Sequence, residues 1–371
     1  MRMTRSRPAN PARTWTVSAA VVVNLAASWA ACAGRVAPQD SPAAAVSPPV
    51  DAGPRCGPTP VEVVDFNPLV RQFGLIALGA MPIAMDATNI YFPFGRGLMR
   101  APIQGGAVTT LTTFDFTLPS NVIVEYQDLI VKSSSAFLHT NLDGNDDNDE
   151  QILSVPAQGG SAVSLATSHG VVQGFAADAN TVYFVDSDGI QSVPQSGGNV
   201  RVLTSTTGEI AVVGANIVVT TPDGNVLAVP IQGGSPTTLA TGQGGAKFPL
   251  ACGSDVCWYF GGSEAAMGPT GPGYIAHLAG GNISTISASP PADLVFDGTD
   301  FFETVPCDTC SGALVRLPIS GAAPVTMAPG AYVVVDDECA YFSVVEGAAL
   351  PSSSSGGPSG IYSVEKSYTG P

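Results

Sequence analysis

Apolar and polar residues alternate along most of this chain in short runs, and nearly every run ends in Gly, Asn, Asp or Pro. A period of two broken by turn residues predicts short β-strands joined by tight turns. Two phrases then recur in order. One reads GLMRAPIQGG at 97–106, QILSVPAQGG at 151–160, GIQSVPQSGG at 189–198 and NVLAVPIQGG at 225–234. Weaker copies are YIAHLAGGN at 274–282, ALVRLPISGA at 313–322 and GIYSVEK at 360–366. The other phrase precedes each copy: a short apolar run, often an Asp, then a bulky pair. The pairs are Tyr91-Phe92, Leu129-Ile130, Tyr183-Phe184, Ile217-Val218, Trp258-Tyr259, Phe301-Phe302 and Tyr341-Phe342. Strand-type repeats at a period of about forty residues predict an all-β propeller.

The repeats place seven four-stranded blades near 74–115, 118–168, 172–206, 208–242, 247–288, 291–328 and 331–366. The alternative counts are six and eight. The count turns on 118–168, where Leu129-Ile130 takes the place of an aromatic pair. Asp and Asn suit the turns because their side chains cap nearby amides, and Gly supplies positive φ. The last blade runs out of chain before a fourth strand. The strand-like run at 58–66 is left over at the start, so it is predicted to join the last blade and close the ring.

Ahead of the ring, Arg2, Arg5, Arg7 and Arg13 precede an apolar stretch at 15–31, and small residues surround Cys32. This is the pattern of an export signal. Ala30-Ala31-Cys32 is similar to a bacterial lipobox, which makes Cys32 the lipidation candidate, although Trp29 stands where Leu is usual. Ordinary cleavage after small residues is the competing reading. The division expected is 1–32 signal peptide, 33–57 Pro/Ala-rich tether and 58–371 propeller. A tether of that composition stays extended and forms no core.

Composition sharpens this. Net charge is −16 and charged residues make up only 12% of the chain. Nucleic-acid binding needs clustered Lys and Arg, so no nucleic-acid partner is expected. Of seven cysteines, removal of Cys32 leaves six. An even set in an exported chain predicts disulfides. The expected pairs are Cys56–Cys339, stapling the ring closure, Cys252–Cys257 across a turn, and Cys307–Cys310 within a loop.

The phrase D-x-x-x-[IV]-Y-F followed by G-x-[IL]-x-x-V-P-x-x-G-G resembles a group of exported bacterial β-propeller proteins of unassigned function. It is also similar to YWTD-type and NHL-type propellers. The positions that carry it are Asp86, Tyr91, Phe92, Pro102, Asp178, Tyr183, Phe184, Pro194 and Pro230. The resemblance implies a fold and no activity, because propellers host binding proteins, lyases and hydrolases alike.

Chemistry is thin. In LDGNDDNDE at 142–150, Asp143, Asn145, Asp147 and Asp149 alternate, as oxygen ligands do in loops that wrap Ca2+. The sixth position is Asn148 rather than Gly and the twelfth is Ser154 rather than Glu, so Ca2+ stands beside a solvated acidic loop as the two readings. No other cofactor is expected. Cys307 and Cys310 form a C-x-x-C without the helix that a redox site needs or the further ligands that zinc needs. His139, His169 and His277 are read as lying in a loop, a blade junction and a strand, with nothing to bring two together. No catalytic set is visible. Long insertions near 133–150, 261–273, 303–312 and 344–360 share one face of the ring, and such loops carry function. The chain is therefore expected to be a monomeric, exported module of the cell envelope. It would be held to the outer membrane by its lipid only, or lie free in the periplasm or outside. Its expected partner is a protein, peptide or glycan. A propeller lyase or hydrolase with its site at the channel mouth and a structural envelope protein are the alternatives.

Overall fold

A computed structural model of the chain describes residues 56–69, 81–114, 126–140, 150–263, 270–289, 291–305, 312–344 and 359–368. They form seven antiparallel sheets of four strands each. Blades 1 to 6 span residues 84–113, 126–167, 174–204, 209–240, 247–288 and 293–328, in sequence order. Blade 7 takes three strands from 333–365 and its outermost strand, Val61–Asp65, from the start of the chain. That strand pairs antiparallel with Gly360–Glu365, matching Val61 to Ser363 and Asp65 to Gly360. The fold is a seven-bladed β-propeller closed by strand exchange between its ends. The Cys56–Cys339 disulfide, spanning 283 residues, locks that closure.

Alternation along each second strand decides what packs where. In blade 1, Phe92 and Phe94 pack on Phe66, beside the outer strand of blade 7, with ring centroids 5.5 Å away in each case. Tyr91, which precedes Phe92 and points to the other side of the strand, packs with Leu129 and Leu138 of blade 2. Every blade therefore offers one set of side chains to the blade before it and the other set to the blade after it. The core is a series of seams between blades.

The recurrent Asp and Tyr have one physical role. Oδ1 of Asp86 accepts the amides of Thr88 and Asn89, each at 2.8 Å, and Oδ2 accepts the Tyr91 hydroxyl at 2.6 Å. Burial works against the charged carboxylate, but these hydrogen bonds outweigh it and hold Asp86 below its ordinary range. Asp178–Tyr183 and Asp336–Tyr341 repeat the arrangement at 2.7 and 3.0 Å. The turn between the first and second strands is thus tied by a residue pair five apart.

Other blades tie the same two places differently. In blade 5 they are Cys252 and Cys257, and the tie is a disulfide. In blade 6 the Tyr is replaced by Phe302, and Asp297 takes Lys366 Nζ from blade 7 at 2.7 Å instead. In blade 4 the places fall to Val213 and Val218, which pack as an apolar pair. Tyr183→Phe leaves the second oxygen of Asp178 without its donor, and is expected to lower stability by about 1–2 kcal/mol. Urea unfolding of the two proteins measures this.

The phrase V-P-x-x-G-G closes the turn between third and fourth strands. Gly105 donates its amide to the Pro102 carbonyl at 3.0 Å, and Gly105 and Gly106 take φ of +80° and +131°. Gly197-Gly198 and Gly233-Gly234 do the same. Two successive residues at positive φ admit little but Gly.

Two sequence readings change. Leu129-Ile130 lies in the first strand of blade 2, not the second. The second strand is Ser135–Thr140, and Phe137-Leu138 occupies the places of Tyr91-Phe92. The shift passed unseen because Lys132 stands where the turn Asp is expected. In blades 4, 5 and 6 the bulky pair sits one residue out of register, so the two places fall on Val218-Val219, Cys257-Trp258 and Phe302-Glu303.

Candidate functional site

The two faces of the ring differ. Turns between first and second strands are short in every blade, from 133–134 to 336–338. On the opposite face lie the connections between second and third strands, together with those between blades. Some there are short, at 95–96 and 187–188. Others run over 141–150, 264–269, 306–312 and 345–359. The long stretches expected from the sequence are therefore on one face, with tighter limits. The strands of blade 5, Asp255–Ser263 and Thr270–Ala279, are the longest and trim the 261–273 stretch to 264–269. Within that hairpin Phe260 and Tyr274 pair at 5.6 Å.

Beneath this face the seams carry polar groups that the apolar pattern hides. His139 is not in a loop. It sits near the end of the second strand of blade 2, Ser135–Thr140, with no exposed surface. Its Nε2 meets Asp128 Oδ2 at 3.0 Å, its Nδ1 meets the Glu150 carboxylate, and its ring lies 5.2 Å from Phe175 of blade 3. Asp128 and Glu150 are buried too. Burial alone would discharge the imidazole. The hydrogen bonds and charges of Asp128 and Glu150 outweigh it and hold His139 up at about 9, so the ring is an imidazolium at neutral pH. With both nitrogens engaged it has no lone pair for a metal and no site for accepting a proton. Its work is mechanical: Glu150 and His139 are the two stems of the long connection, and the imidazolium ties them to the first strand through Asp128.

Two further buried acids lie at the same end of first strands. Glu209 accepts the Phe248 amide of blade 5 at 2.6 Å, and Asp293 accepts the Val333 amide of blade 7 at 3.0 Å. Each carboxylate satisfies a backbone donor of the next blade, a charge-assisted bond that fixes one blade against its neighbour.

The seam between blades 5 and 6 is different. Glu303 in the second strand of blade 6 is 1% exposed and Tyr259 in the second strand of blade 5 is 4% exposed. Phe301, on the same side of its strand as Glu303, belongs to the same hydrophobic cluster as Tyr259. Among the described residues neither Glu303 Oε2 nor the Tyr259 hydroxyl has a hydrogen-bond partner. The Ser289 amide donates to Glu303 Oε1 at 3.4 Å. Burial pushes Glu303 up to about 8, so it is a neutral acid at pH 7. Burial and the Glu303 charge push Tyr259 up to about 12. The phenol leans over Gly273, where a Cβ would lie 2.0 Å from its oxygen.

Of the site residues read from sequence, Cys56–Cys339 and Cys252–Cys257 are bonded. Cys32, Asp143, Asn145, Asp147, Asp149, Cys307 and Cys310 lie outside the described residues. Among the described residues no group of three or more His, Cys, Asp and Glu is placed to hold a metal. His169 pairs at the surface with Asp188 at 2.7 Å and His277 meets Asp255 at 3.3 Å, so each histidine has carboxylate partners of its own. The Asp128–His139–Glu150 group went unread because its members stand eleven residues apart on either side of the His. The only signals were a single Asp and a single His within the apolar runs 126–132 and 135–140, while Glu150 was hidden at the end of the acidic run 143–150.

A β-propeller with one loop-rich face is therefore the class of protein that fold and site define. No protein-family model matches the chain, and no curated protein matches it. Solved structures do. YCF48 bound to D1 peptide is similar over 82% of this chain and 93% of its own, with 10% identity and a TM-score of 0.52. The extracellular domain of BT4673 from B. thetaiotaomicron is similar over 83% of this chain and 42% of its own, with 11% identity and a TM-score of 0.52. BamB from Moraxella catarrhalis gives 14% identity over 78% of this chain and 84% of its own, with a TM-score of 0.46. At such identities the likeness extends to the fold alone.

Proposed function

We propose that the protein is a binding module of the cell envelope that presents its loop-rich face to a protein, peptide or glycan. The observation that carries this reading is the asymmetry of the ring. The connections at 141–150, 264–269, 306–312 and 345–359 all leave one face, while the other face has tight turns. Insertions scattered without function would fall on both faces. Rigid strands joined by variable loops are how binding surfaces are commonly built. The buried Asp128–His139–Glu150 tie holds the stems of the 141–150 connection in place. Export through residues 1–32 and a lipid on Cys32 would set the ring at a membrane surface, with 33–57 as spacer. No helix among the described residues is long and apolar enough to cross a membrane. The lyase or hydrolase reading draws nothing from His139, whose nitrogens are both committed to carboxylates.

The test is cross-linked capture from envelope fractions by the full chain, beside two variants. One variant has 345–358 replaced by a short Gly-Ser link. The other lengthens the tight turn at 214–215 on the opposite face by a similar segment. A partner captured by the parent and the 214–215 variant but not by the 345–358 variant supports the reading. A partner captured equally by all three contradicts it. In the same experiment, chelator separates the two readings of 142–150, a Ca2+ loop that contributes to capture and a solvated acidic loop that does not.

A further inference from the structure

The outer rim of the ring is made of edge strands, and an edge strand offers unpaired amides and carbonyls that another chain can join. In six blades two devices blunt that edge. The outermost strands are four or five residues long. Each also meets its neighbour across a bulge or register shift, which bends the strand and interrupts pairing. Blade 5 has neither device. Its outermost strand, Asn282–Ala288, runs for seven residues and pairs with Thr270–Ala279 in unbroken register, from Ala279–Asn282 to Gly273–Ala288. It contains no Pro and no charged residue. Asn282 to Thr285 and Ser287 are exposed, and Ile283 shows 44% of its surface.

The turn fixes which groups point outward. Gly280 and Gly281 take φ of +56° and +84°, the left-handed pair of a two-residue hairpin turn. Such a turn makes Ala279 and Asn282 a hydrogen-bonded pair, and bonded and non-bonded pairs then alternate along the antiparallel ladder. Asn282, Ser284, Ile286 and Ala288 therefore turn their backbone groups in, toward Thr270–Ala279. Ile283, Thr285 and Ser287 turn theirs out. Among the described residues these outward amides and carbonyls have no partner. An extended strand laid along this rim would bond all of them. Its side chains would alternate between the side of Ile283, Thr285 and Ser287 and the side of Ser284 and Ile286.

Charge and size select the occupant. The chain carries −16, so a second copy is repelled. One short edge is also a small part of the ~1,200–2,000 Å2 that a stable dimer buries. A single extended segment needs no such area, because main-chain bonds supply its affinity. A rim of hydroxyl and β-branched side chains pairs best with a strand of the same kind. The acidity of the chain favours Lys or Arg on either side of that strand.

We propose that the Asn282–Ala288 edge of blade 5 is a docking strand for an extended, β-branched segment of another protein with basic flanks, which adds to the blade as a fifth strand. Ile283, Thr285 and Ser287 supply the backbone bonds, and the exposed Ile283 side chain supplies an apolar contact. The site lies on the rim rather than on the loop-rich face, so it stands or falls independently of the binding reading above.

The experiment is fluorescence anisotropy on the full chain with a labelled, end-blocked peptide, Lys-Lys-Thr-Val-Thr-Ile-Thr-Val-Thr-Lys-Lys. The parent protein binds it with a Kd of about 100 µM or tighter. Thr285→Pro removes an outward amide and sets a ring in the path of the incoming strand, while the ladder to Thr270–Ala279 keeps its bonds. It weakens binding at least about tenfold. Thr285→Val changes the side chain, keeps the amide and binds like the parent. Melting curves confirm that both variants are folded. A copy of the peptide N-methylated at Ile and at the Thr after it, which blocks both of its edges, loses about tenfold or more against the unaltered protein. That arm holds even if Thr285→Pro does not fold. Amide exchange slows at Ile283, Thr285 and Ser287 when the peptide is added. The proposal is overturned if the peptide does not bind at millimolar concentration, or if the N-methylated copy binds equally. It is also overturned if folded Thr285→Pro binds like the parent, or if the three amides are already protected in the free chain. Equal binding of a copy with Glu in place of Lys would overturn the basic flanks. A parent dimer that Thr285→Pro dissociates, seen by sedimentation, would give the edge to a second copy and overturn the proposal as well.

Discussion

Replacing His139 with Leu is expected to lower stability by about 3–5 kcal/mol, the cost of stranding buried charges whose partner is gone. Asp128 and Glu150 would then face each other across an apolar gap, each a carboxylate with almost no access to water. Part of the loss should return in the triple variant that also carries Asp128→Asn and Glu150→Gln, since neutral amides need no counter-charge. The pH dependence has a definite sign. The folded imidazolium holds its proton to about 9, above the ordinary His value near 6.5. Its contribution is therefore complete below about 6.5 and is lost as pH rises toward 9. Glu303 adds to the same trend. It keeps a proton to about 8 that the unfolded chain gives up near the ordinary Glu value. Melting temperature should fall between pH 6 and 9. His139→Leu and Glu303→Gln should each flatten that fall, and guanidinium titrations across this range give the slopes.

Cys56→Ser with Cys339→Ser should be the second large effect. The disulfide closes a loop of 283 residues, for which the chain-entropy model gives about 5 kcal/mol. The loss should be local in its first consequence. Among the described strands Val61–Asp65 alone is held to its blade without a connection to a strand beside it in the sequence, so it should detach first. Amide exchange would show Val61–Asp65 and the facing Gly360–Glu365 losing protection well before blades 2 to 4. Uniform loss of protection across all blades would mean that closure is not the weak point of the ring. Cys252→Ser with Cys257→Ser ties off only a turn and should cost far less.

How far the chain could be read follows from what each residue answers to. The turn Asp at 86, 178 and 336 and the Gly pairs at 105–106, 197–198 and 233–234 satisfy local backbone needs. A period of about forty residues built from them is visible by inspection. The closure strand was legible because the last blade was short by one and the first run was spare. Blade 2 was misread by one strand because Lys132 and Phe137 replaced the local Asp–Tyr tie with nothing that resembles it. The polar seams were invisible for another reason. Asp128, His139 and Glu150 become neighbours only through strand pairing, and Tyr259 meets Glu303 only because consecutive blades press odd and even faces together. Pairwise meaning of that kind is not written at either residue alone.

The claim on which the functional account rests is that one face of this ring binds. Amide hydrogen exchange on the full chain, with and without the partner captured by cross-linking, addresses it most directly. Protection gathered at the strand ends around residues 140, 150, 263, 270, 305, 313, 344 and 360 is the predicted result. Protection centred instead on the Gly-pair turns at 102–106, 156–160, 194–198 and 230–234 would put the partner on the opposite face and contradict the account.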